Sequence, residues 1–264
     1  MAADPRARIR RPPPGFRTVA VQGTETIGPR LRRVTLAGPE LVGFPVPLPA
    51  ASVRLLVPTP GTAALVVPTW TGNEFLLPDG SRPALRTFTP RRVDPDAGEL
   101  DLDVVLHGGG VVSAWAAAVT PGAPCAISGP GRGYEIDADA PTFLLAGDET
   151  ALPAIAQLLE ALPPTATVTV HIECASPDGR SPLPAHPGTT LTWHDLADPA
   201  DPGAAFVAAV LAEPIDPDAR IWVAGEAAAV QRVRRHLFET VGFPRPRTTI
   251  RGYWKRGRAG AQVD

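Results

Sequence analysis

The segment Ala84–Val93, with the sequence ALRTFTPRRV, places three arginines around two threonines and one phenylalanine. Residues two apart on a strand share a face, so Arg86 and Phe88 would lie on the same side. Phe88 could then pack on a planar ring, peptide groups around Thr89 could bind ring heteroatoms, and Arg86 could bind an anion. That much positive charge, in a chain of formal net charge -2, predicts a negatively charged ligand. A solvated surface strand with one core aromatic residue is the alternative.

A run of three glycines, Gly108–Gly110, leads into a helix predicted from the alanine-rich sequence VVSAWAAAV. The first turn of a helix has N–H groups without intrahelical partners and a partial positive charge, and glycine lets a ligand approach the backbone. Such a turn, with Ser113 near its start, can bind a phosphate. A flexible loop before a structural helix is the alternative. Together the two segments predict a planar ligand with a pyrophosphate, such as a flavin dinucleotide.

Short strands are predicted to carry both segments. Between about Phe16 and Ile136, apolar or β-branched runs such as SVRLLVP and PCAISGP are short and end at proline or glycine. In ELDLDVVLHG, leucine and valine recur with a period of two, beginning at Leu100 and Leu102, which is typical of a strand. Many strands interrupted by one helix predict an antiparallel barrel or sandwich.

The pattern changes after Pro141. Runs typical of buried strands, TFLLAG, TVTVHIEC, TLTWHDL and RIWVAG, alternate with predicted helices, and the last helix, AAAVQRVRRHLFETVG, ends at a Gly242 cap. Strands that alternate with helices predict a parallel α/β sheet. The predicted architecture is a two-domain β + α/β protein. An N-terminal antiparallel β-barrel spans residues 16–138, and a C-terminal parallel-sheet α/β domain spans residues 141–258.

Composition narrows the class of protein further. The 264 residues, 44% hydrophobic and 20% charged, are typical of a globular chain, and a pI of about 6.2 argues against nucleic acid or an anionic membrane as partner. No apolar run reaches the roughly 20 residues of a membrane span, and the N-terminal MAADPRARIRRPPPGF lacks the apolar region of a signal peptide. Cys125 and Cys174 are expected to be buried and reduced, so a cytoplasmic protein is expected. The cysteines and histidines show no metal-ligand spacing.

Six segments resemble, in order and spacing, the siderophore-interacting protein family: RTFTPRR, VLHGGGVVSAWA, PGAPCAISGPGRG, AGDETALPAI, WVAGE and RGYWKRG. Members of this family are FAD-binding ferric-siderophore reductases of the ferredoxin-reductase-like superfamily. The resemblance covers roughly residues 16–258. It is specific because the arginine–aromatic–threonine element occurs together with the late GYW motif.

The resemblance implies which residues bind FAD along the flavin ring, along the ribityl chain and under the pyrophosphate. They are Arg86, Thr87, Phe88, Thr89, Arg91, Leu106, His107, Gly108, Gly110, Val111, Val112 and Ser113. Phe88 departs from the tyrosine that is usual in the family. Because a lost hydrogen bond to a flavin group is worth about 1–3 kcal/mol, weaker retention of FAD is expected.

The resemblance also implies a nicotinamide side in the second domain, formed by Gly147, Thr150, Gly225 and Glu226. In AGDETALPAI, however, Asp148 and Glu149 stand at the predicted start of a helix, where they favour the helix dipole but repel a pyrophosphate. NAD(P)H is therefore expected to bind weakly or in a different pose. A purely structural capped helix is the alternative, and the choice between NADH and NADPH stays open.

Basic residues near the flavin are implied to bind ferric siderophores, which are often anionic. The candidates are Arg54, Arg132, Lys255 and Arg256. The C-terminal basic and aromatic run from Arg247 to Arg258 could also be solvated surface. Nucleic-acid binding is disfavoured because the overall charge is close to neutral.

The implied reaction is the FAD-dependent reduction of a ferric siderophore with release of Fe(II). The electrons would come from NAD(P)H or from a small, ferredoxin-like redox protein. Hard oxygen ligands bind Fe(III) more tightly than Fe(II), so reduction loosens the complex, and the protein needs no acid–base residue or nucleophile. Two alternatives remain. One is a different flavin reductase acting on quinone, free flavin or a partner protein, and the other is a flavin- or siderophore-binding module without catalysis.

Overall fold

A computed structural model describes residues 13–257. Residues 1–12, on which most of the signal-peptide expectation rests, and Arg258, the last residue of the predicted second domain, lie outside the described residues. The helices are α1 (Val111–Ala118), α2 (Leu152–Ala161), α3 (Ala204–Ala212) and α4 (Ala227–Arg235). The strands are β1 (Phe16–Gly28), β2 (Leu31–Ala37), β3 (Val53–Leu56), β4 (Thr69–Trp70), β5 (Phe75–Leu76), β6 (Leu85–Phe88), β7 (Pro90–Asp94), β8 (Glu99–Val105), β9 (Pro124–Ser128), β10 (Thr142–Asp148), β11 (Thr167–Cys174), β12 (Thr189–Asp195), β13 (Arg220–Glu226) and β14 (Thr248–Trp254).

The first sheet has seven antiparallel strands in the order β6-β3-β9-β1-β2-β8-β7. Its two edge strands, β6 and β7, follow each other in the chain with only Thr89 between them. The sheet must therefore curl until its edges meet at that residue. This geometry confirms the predicted antiparallel β-barrel, and Leu36, Leu55, Leu100, Leu102 and Ile127 fill its core.

Strand β8 follows the predicted alternation but is buried on both faces. Leu100, Leu102 and Val104 point into the barrel core. Asp101 and Asp103, on the other face, are only 5% and 7% exposed, because arginines of neighbouring strands bind them at 2.9 and 2.7 Å. Buried carboxylates need such partners.

The second sheet has five parallel strands in the order β12-β11-β10-β13-β14, which confirms the predicted α/β domain. Alternate residues of β10 pack on opposite faces. Phe143 and Leu145 pack with α2, whereas Leu144 and Ala146 pack with α3 and α4. Because the five strands are parallel, their carboxyl ends meet at one edge of the sheet, where α2, α3 and α4 begin.

The C-terminal region departs from the sequence-based expectation. The segment interpreted as a charged tail at the surface is largely the edge strand β14, which pairs with β13. Its composition, TTIRGYW, is rich in β-branched and aromatic residues, a strand signal that the nearby basic residues masked. The helix before it is α-helical to Arg235 and π-helical over His236–Val241, and Gly242 caps it at φ 72°, as predicted.

Both cysteines are buried and outside any disulfide, as expected. Burial raises the pKa of each thiol to about 12. Within residues 13–257, no helix is both long and apolar enough to cross a bilayer.

Candidate functional site

The seam of the barrel, between β6 and β7, is covered by the second domain. Thr89 is 7% exposed, and its side chain is hydrogen-bonded to Tyr253 of β14. The amide of Gln157 in α2 donates to the carbonyl oxygen of Pro90 at 2.6 Å and accepts from the N–H of Ala50 at 2.9 Å. The segment predicted to bind an anion therefore lies at the junction of the two domains.

Two of the three arginines in this segment already have protein partners. Arg91 binds Glu160 of α2 at 2.5 and 3.0 Å. Arg92 binds Asp101 and Glu99 at 2.9 Å and Asp94 at 3.4 Å. The positive charges of Arg91 and Arg92 are therefore paired within the protein, and the predicted contact of Arg91 with FAD stays a prediction. Carboxylates of the second domain and of the β7–β8 hairpin neutralise them.

Arg86 differs from these two neighbours. It is half-buried on the edge strand β6 and donates to the carbonyl oxygen of Leu85 at 2.7 Å. Among the described residues, no carboxylate lies within salt-bridge distance of its guanidinium, and burial lowers the pKa of Arg86. Phe88, on the same face, packs against the barrel core, whereas Thr87 is exposed opposite Arg54 of β3. Arg86 is thus the cation that this strand offers to a ligand.

The glycine turn before α1 has the form predicted. Gly108–Gly110 are exposed, Gly110 adopts φ 98°, and no side chain of residues 13–257 caps the helix. The Ser113 hydroxyl accepts from the His107 N–H and donates to the His107 carbonyl, both at 2.9 Å. Ser113 therefore holds the loop in shape, and its contact with a phosphate stays a prediction. Val112 belongs to the barrel core, so a ligand could reach only its backbone.

His107 reports the electrostatics of this turn. Burial lowers the pKa of His107, and the charges of Arg30 and Arg86 lower it further, whereas Glu149, which binds Arg30, opposes the shift. Leu106, just before it, donates its N–H to the Arg30 carbonyl at 2.7 Å. An anion placed at the turn would meet the first turn of α1 together with Arg86, which is the electrostatic pattern of a phosphate site.

The predicted nicotinamide side is assembled at the carboxyl edge of the parallel sheet. Gly147 and Gly225 lie at the ends of the paired strands β10 and β13. Asp148 accepts from the Thr150 N–H at 2.9 Å, the Glu226 N–H at 2.8 Å and the Trp254 indole at 2.8 Å. Burial raises the pKa of Asp148, although these donors oppose the shift. The four predicted residues are brought together, but Thr150 and Glu226 both donate their N–H groups to Asp148, which is not one of the four.

The predicted siderophore residues have different surroundings. Arg54 is half-buried, burial lowers its pKa, and its guanidinium lies 6.0 Å from the centroid of the Phe75 ring. Arg132 and Lys255 are exposed. Arg256 is exposed too, but its guanidinium donates to the carbonyl oxygen of Ala200. Three of the four therefore keep a guanidinium or ammonium group that a ligand could bind.

Two residues that the sequence did not single out hold the domains together. Arg30, in the β1–β2 turn, binds Glu149 through two nitrogens at 3.0–3.1 Å. Arg251 of β14 donates to three carbonyl oxygens of the first domain, those of Ala50, Arg132 and Gly133, at 3.0–3.1 Å. An arginine amid β-branched residues, as in TTIRGYW, was the available signal for Arg251. Arg30 carried none.

Comparison with known proteins supports the family predicted from the sequence in both domains. Residues 20–134 match the model of the siderophore-interacting FAD-binding domain, and residues 140–257 match the siderophore-interacting protein model. The ferric vibriobactin reductase ViuB of Vibrio cholerae is 28% identical over 236 residues, which cover 88% of this chain and 86% of that protein.

Solved structures agree with these matches. A siderophore utilization protein from T. fusca is 32% identical with a TM-score of 0.84, covering 95% of this chain and 97% of that one. The siderophore-interacting protein SipS from Aeromonas hydrophila is 34% identical with a TM-score of 0.78 and 94% coverage of both chains. The ferredoxin reductase in carbazole 1,9a-dioxygenase, at 16% identity and a TM-score of 0.61, covers 90% of this chain and 69% of that one and shares the fold alone. Barrel, parallel sheet, glycine turn and these matches agree, and the chain belongs to the siderophore-interacting protein family.

Proposed function

We propose that this chain binds FAD in its barrel domain and uses it to reduce a ferric siderophore, with release of Fe(II). The first turn of α1 is the observation that carries the proposal. Three glycines precede it, and no side chain caps it. An open helix start of this kind attracts a phosphate, and the charge of the half-buried Arg86 acts on His107 in the same turn.

The edge strand β6 supplies the second part of the proposed FAD site. In the described sheet, β6 pairs with β3 alone, so one side of its backbone keeps N–H and C=O groups for another partner. A flavin ring has donors and acceptors along its edge that match such a strand. Arg86 and the α1 turn would then bind the pyrophosphate, and β6 would orient the ring. The residues present fit the cofactor.

When bound, FAD supplies the electrons that pass to Fe(III). The chain contributes orientation of the cofactor and a positive potential where an anionic ferric chelate would arrive. Within residues 13–257, no group of three or more His, Cys, Asp or Glu is placed to hold a metal ion, so the siderophore itself carries the iron in this proposal. The electrons enter from NAD(P)H or from a small redox protein.

The exposed Lys255 is proposed to attract anionic chelates. In the change Lys255→Glu, a positive charge becomes negative, so reduction of an anionic ferric catecholate should slow by roughly 3- to 10-fold at low salt, because steering depends on charge. Reduction of a neutral or cationic ferric hydroxamate should change little. The measurement is the second-order rate of Fe(III) reduction for both chelates.

The matched control is Arg235→Glu. Arg235 is the exposed last residue of α4, whose first residue lies at the carboxyl edge of the parallel sheet. The change Arg235→Glu alters the net charge by the same amount as Lys255→Glu. It should leave both rates unchanged. Equal slowing of both chelates by Lys255→Glu, or the same selectivity with Arg235→Glu, would remove the steering role.

The function itself is tested without a biological electron donor. The apoprotein is reconstituted with FAD, reduced photochemically under anaerobic conditions and mixed with ferric siderophores, while a ferrous-specific chelator reports Fe(II). Stoichiometric Fe(II) release is expected, together with slower reduction of quinone and free flavin. A protein that stays colourless with added FAD would contradict the proposal. Faster quinone reduction would support the other flavin reductase, and bound flavin that reduces no acceptor would support a binding module.

A further inference from the structure

At the carboxyl edge of the parallel sheet, buried carboxylates cap the starts of α3 and α4 and the short 3-10 turn that precedes α2. Asp148 caps the turn that leads into α2 by accepting from the Thr150 N–H at 2.9 Å. Glu173 of β11 accepts from two N–H groups at the start of α3, at 2.6 and 2.8 Å. Glu226 accepts from two N–H groups in the first turn of α4. The three carboxylate residues are 8%, 3% and 4% exposed. Five N–H groups at these helix starts, which could otherwise bind a phosphate, are therefore bound to carboxylates of the protein.

A fourth carboxylate fills the space beside the first helix. Glu149 is 7% exposed, binds Arg30 through both of its oxygens and accepts from the Ala175 N–H at 3.0 Å. It thereby joins the loops after β10 and β11 to the first domain. An ion pair of the protein itself therefore links the two domains beside this helix start.

The glycines at this edge pack closely against oxygen atoms of the protein. A Cβ atom built on Gly147 would lie 2.2 Å from the carbonyl oxygen of Ala224. One built on Gly225 would lie 2.6 Å from Asp148, and one on Gly179 would lie 2.2 Å from Glu149. In a dinucleotide site, glycines give phosphate access to the backbone. Here the space that they leave is taken by backbone and carboxylate oxygens.

We infer that the parallel-sheet edge of this chain does not seat the pyrophosphate of a pyridine dinucleotide. The inference rests on the proposed function and concerns the donor that reduces its flavin. The barrel domain shows the contrast, because among residues 13–257 no side chain caps the start of α1.

The first test compares NADPH and NADH with reduced nicotinamide mononucleotide, which carries the same hydride but lacks the pyrophosphate and adenosine. Each is mixed anaerobically with the FAD-loaded protein, and binding is measured in parallel by calorimetry. The second-order rate constants of the three donors should agree within about threefold, and none of the three reactions should saturate with donor concentration. The reason is that the pyrophosphate and adenosine would contribute no binding energy. Saturable NADPH binding together with a dinucleotide that reacts about tenfold or more faster than the mononucleotide would overturn the inference.

A variant tests the cause. Glu226→Ala removes a carboxylate and frees two N–H groups at the start of α4, so NADPH affinity should rise roughly twofold to fivefold. Asp218→Ala, at the opposite edge of the sheet, is the matched control and should change nothing. If Glu226→Ala does not fold, Glu226→Gln keeps an acceptor oxygen and tests the charge alone. An unchanged affinity in the folded variant would rule out capping as the reason.

Failure of this inference can be told apart from failure of the proposed function. FAD binding and Fe(II) release by the photoreduced protein do not involve the sheet edge. A protein that passes those tests and binds NADPH tightly refutes only the inference.

Discussion

Arg86 offers the sharpest test of the proposed FAD site. The change Arg86→Gln keeps a polar side chain of similar reach but removes the charge. A hydrogen bond to a charged group contributes about 1.5–3 kcal/mol, and each 1.4 kcal/mol is about tenfold in affinity. The dissociation constant of FAD should therefore rise roughly 10- to 150-fold.

The same stretch contains the matched control. Arg92→Gln also removes an arginine, but Arg92 is 48% exposed and already bound to Asp101, Glu99 and Asp94. Its loss should leave the FAD dissociation constant within about twofold of the wild-type value, since exposed ion pairs contribute little elsewhere. Arg86→Gln should behave differently in the apoprotein as well. Because burial disfavours its charge, the free energy of unfolding of the apoprotein should not fall.

The assay is a fluorescence titration of apoprotein with FAD at two ionic strengths. Salt screens an arginine–pyrophosphate contact, so the wild-type affinity should fall as salt rises, and Arg86→Gln should be less sensitive. An unchanged dissociation constant in Arg86→Gln would refute the assignment of Arg86. Equal weakening in Arg92→Gln would show that net charge, rather than this site, determines binding.

Three further predictions concern stability, protonation and the departure at Phe88. Arg251→Ala should lower the free energy of unfolding by about 3 kcal/mol in denaturant titration, because three carbonyl oxygens lose a charged donor, whereas the exposed Lys255→Ala should cost almost nothing. His107 should titrate below 6.5 in NMR experiments on the apoprotein, so its contribution to stability is present above that pH and is lost as the pH falls through the lowered pKa. Replacing His107 with Asn should flatten the decline in stability as the pH falls below 6.5. A measured pKa of His107 at or above 6.5 would contradict the electrostatics inferred for the turn. Phe88→Tyr should raise FAD occupancy of the purified protein, and equal or lower occupancy would contradict the expected role of the missing hydroxyl.

The sequence was sufficient wherever the physics is local. A period of two places Leu100 and Leu102 in a barrel strand, and an αL-forming Gly242 ends the last helix. The glycine turn before α1 was readable because glycine and a helix start act within one turn of chain. The partners of Arg92 were also within reach of the sequence. Asp101 is nine residues away, and antiparallel pairing of β7 with β8 brings the two together.

Only the tertiary structure decided which charges remain for a ligand. Arg91 is neutralised by Glu160, 69 residues away, and Arg30 by Glu149, 119 residues away. The closed edge of the second sheet has the same origin, since Glu173 caps a helix 30 residues further along the chain. Sequence reveals that a side chain is charged, but its partner is chosen by how strands and helices pack. An arginine that packing places beside a carboxylate is neutralised, whereas an arginine without such a partner keeps its charge for a ligand.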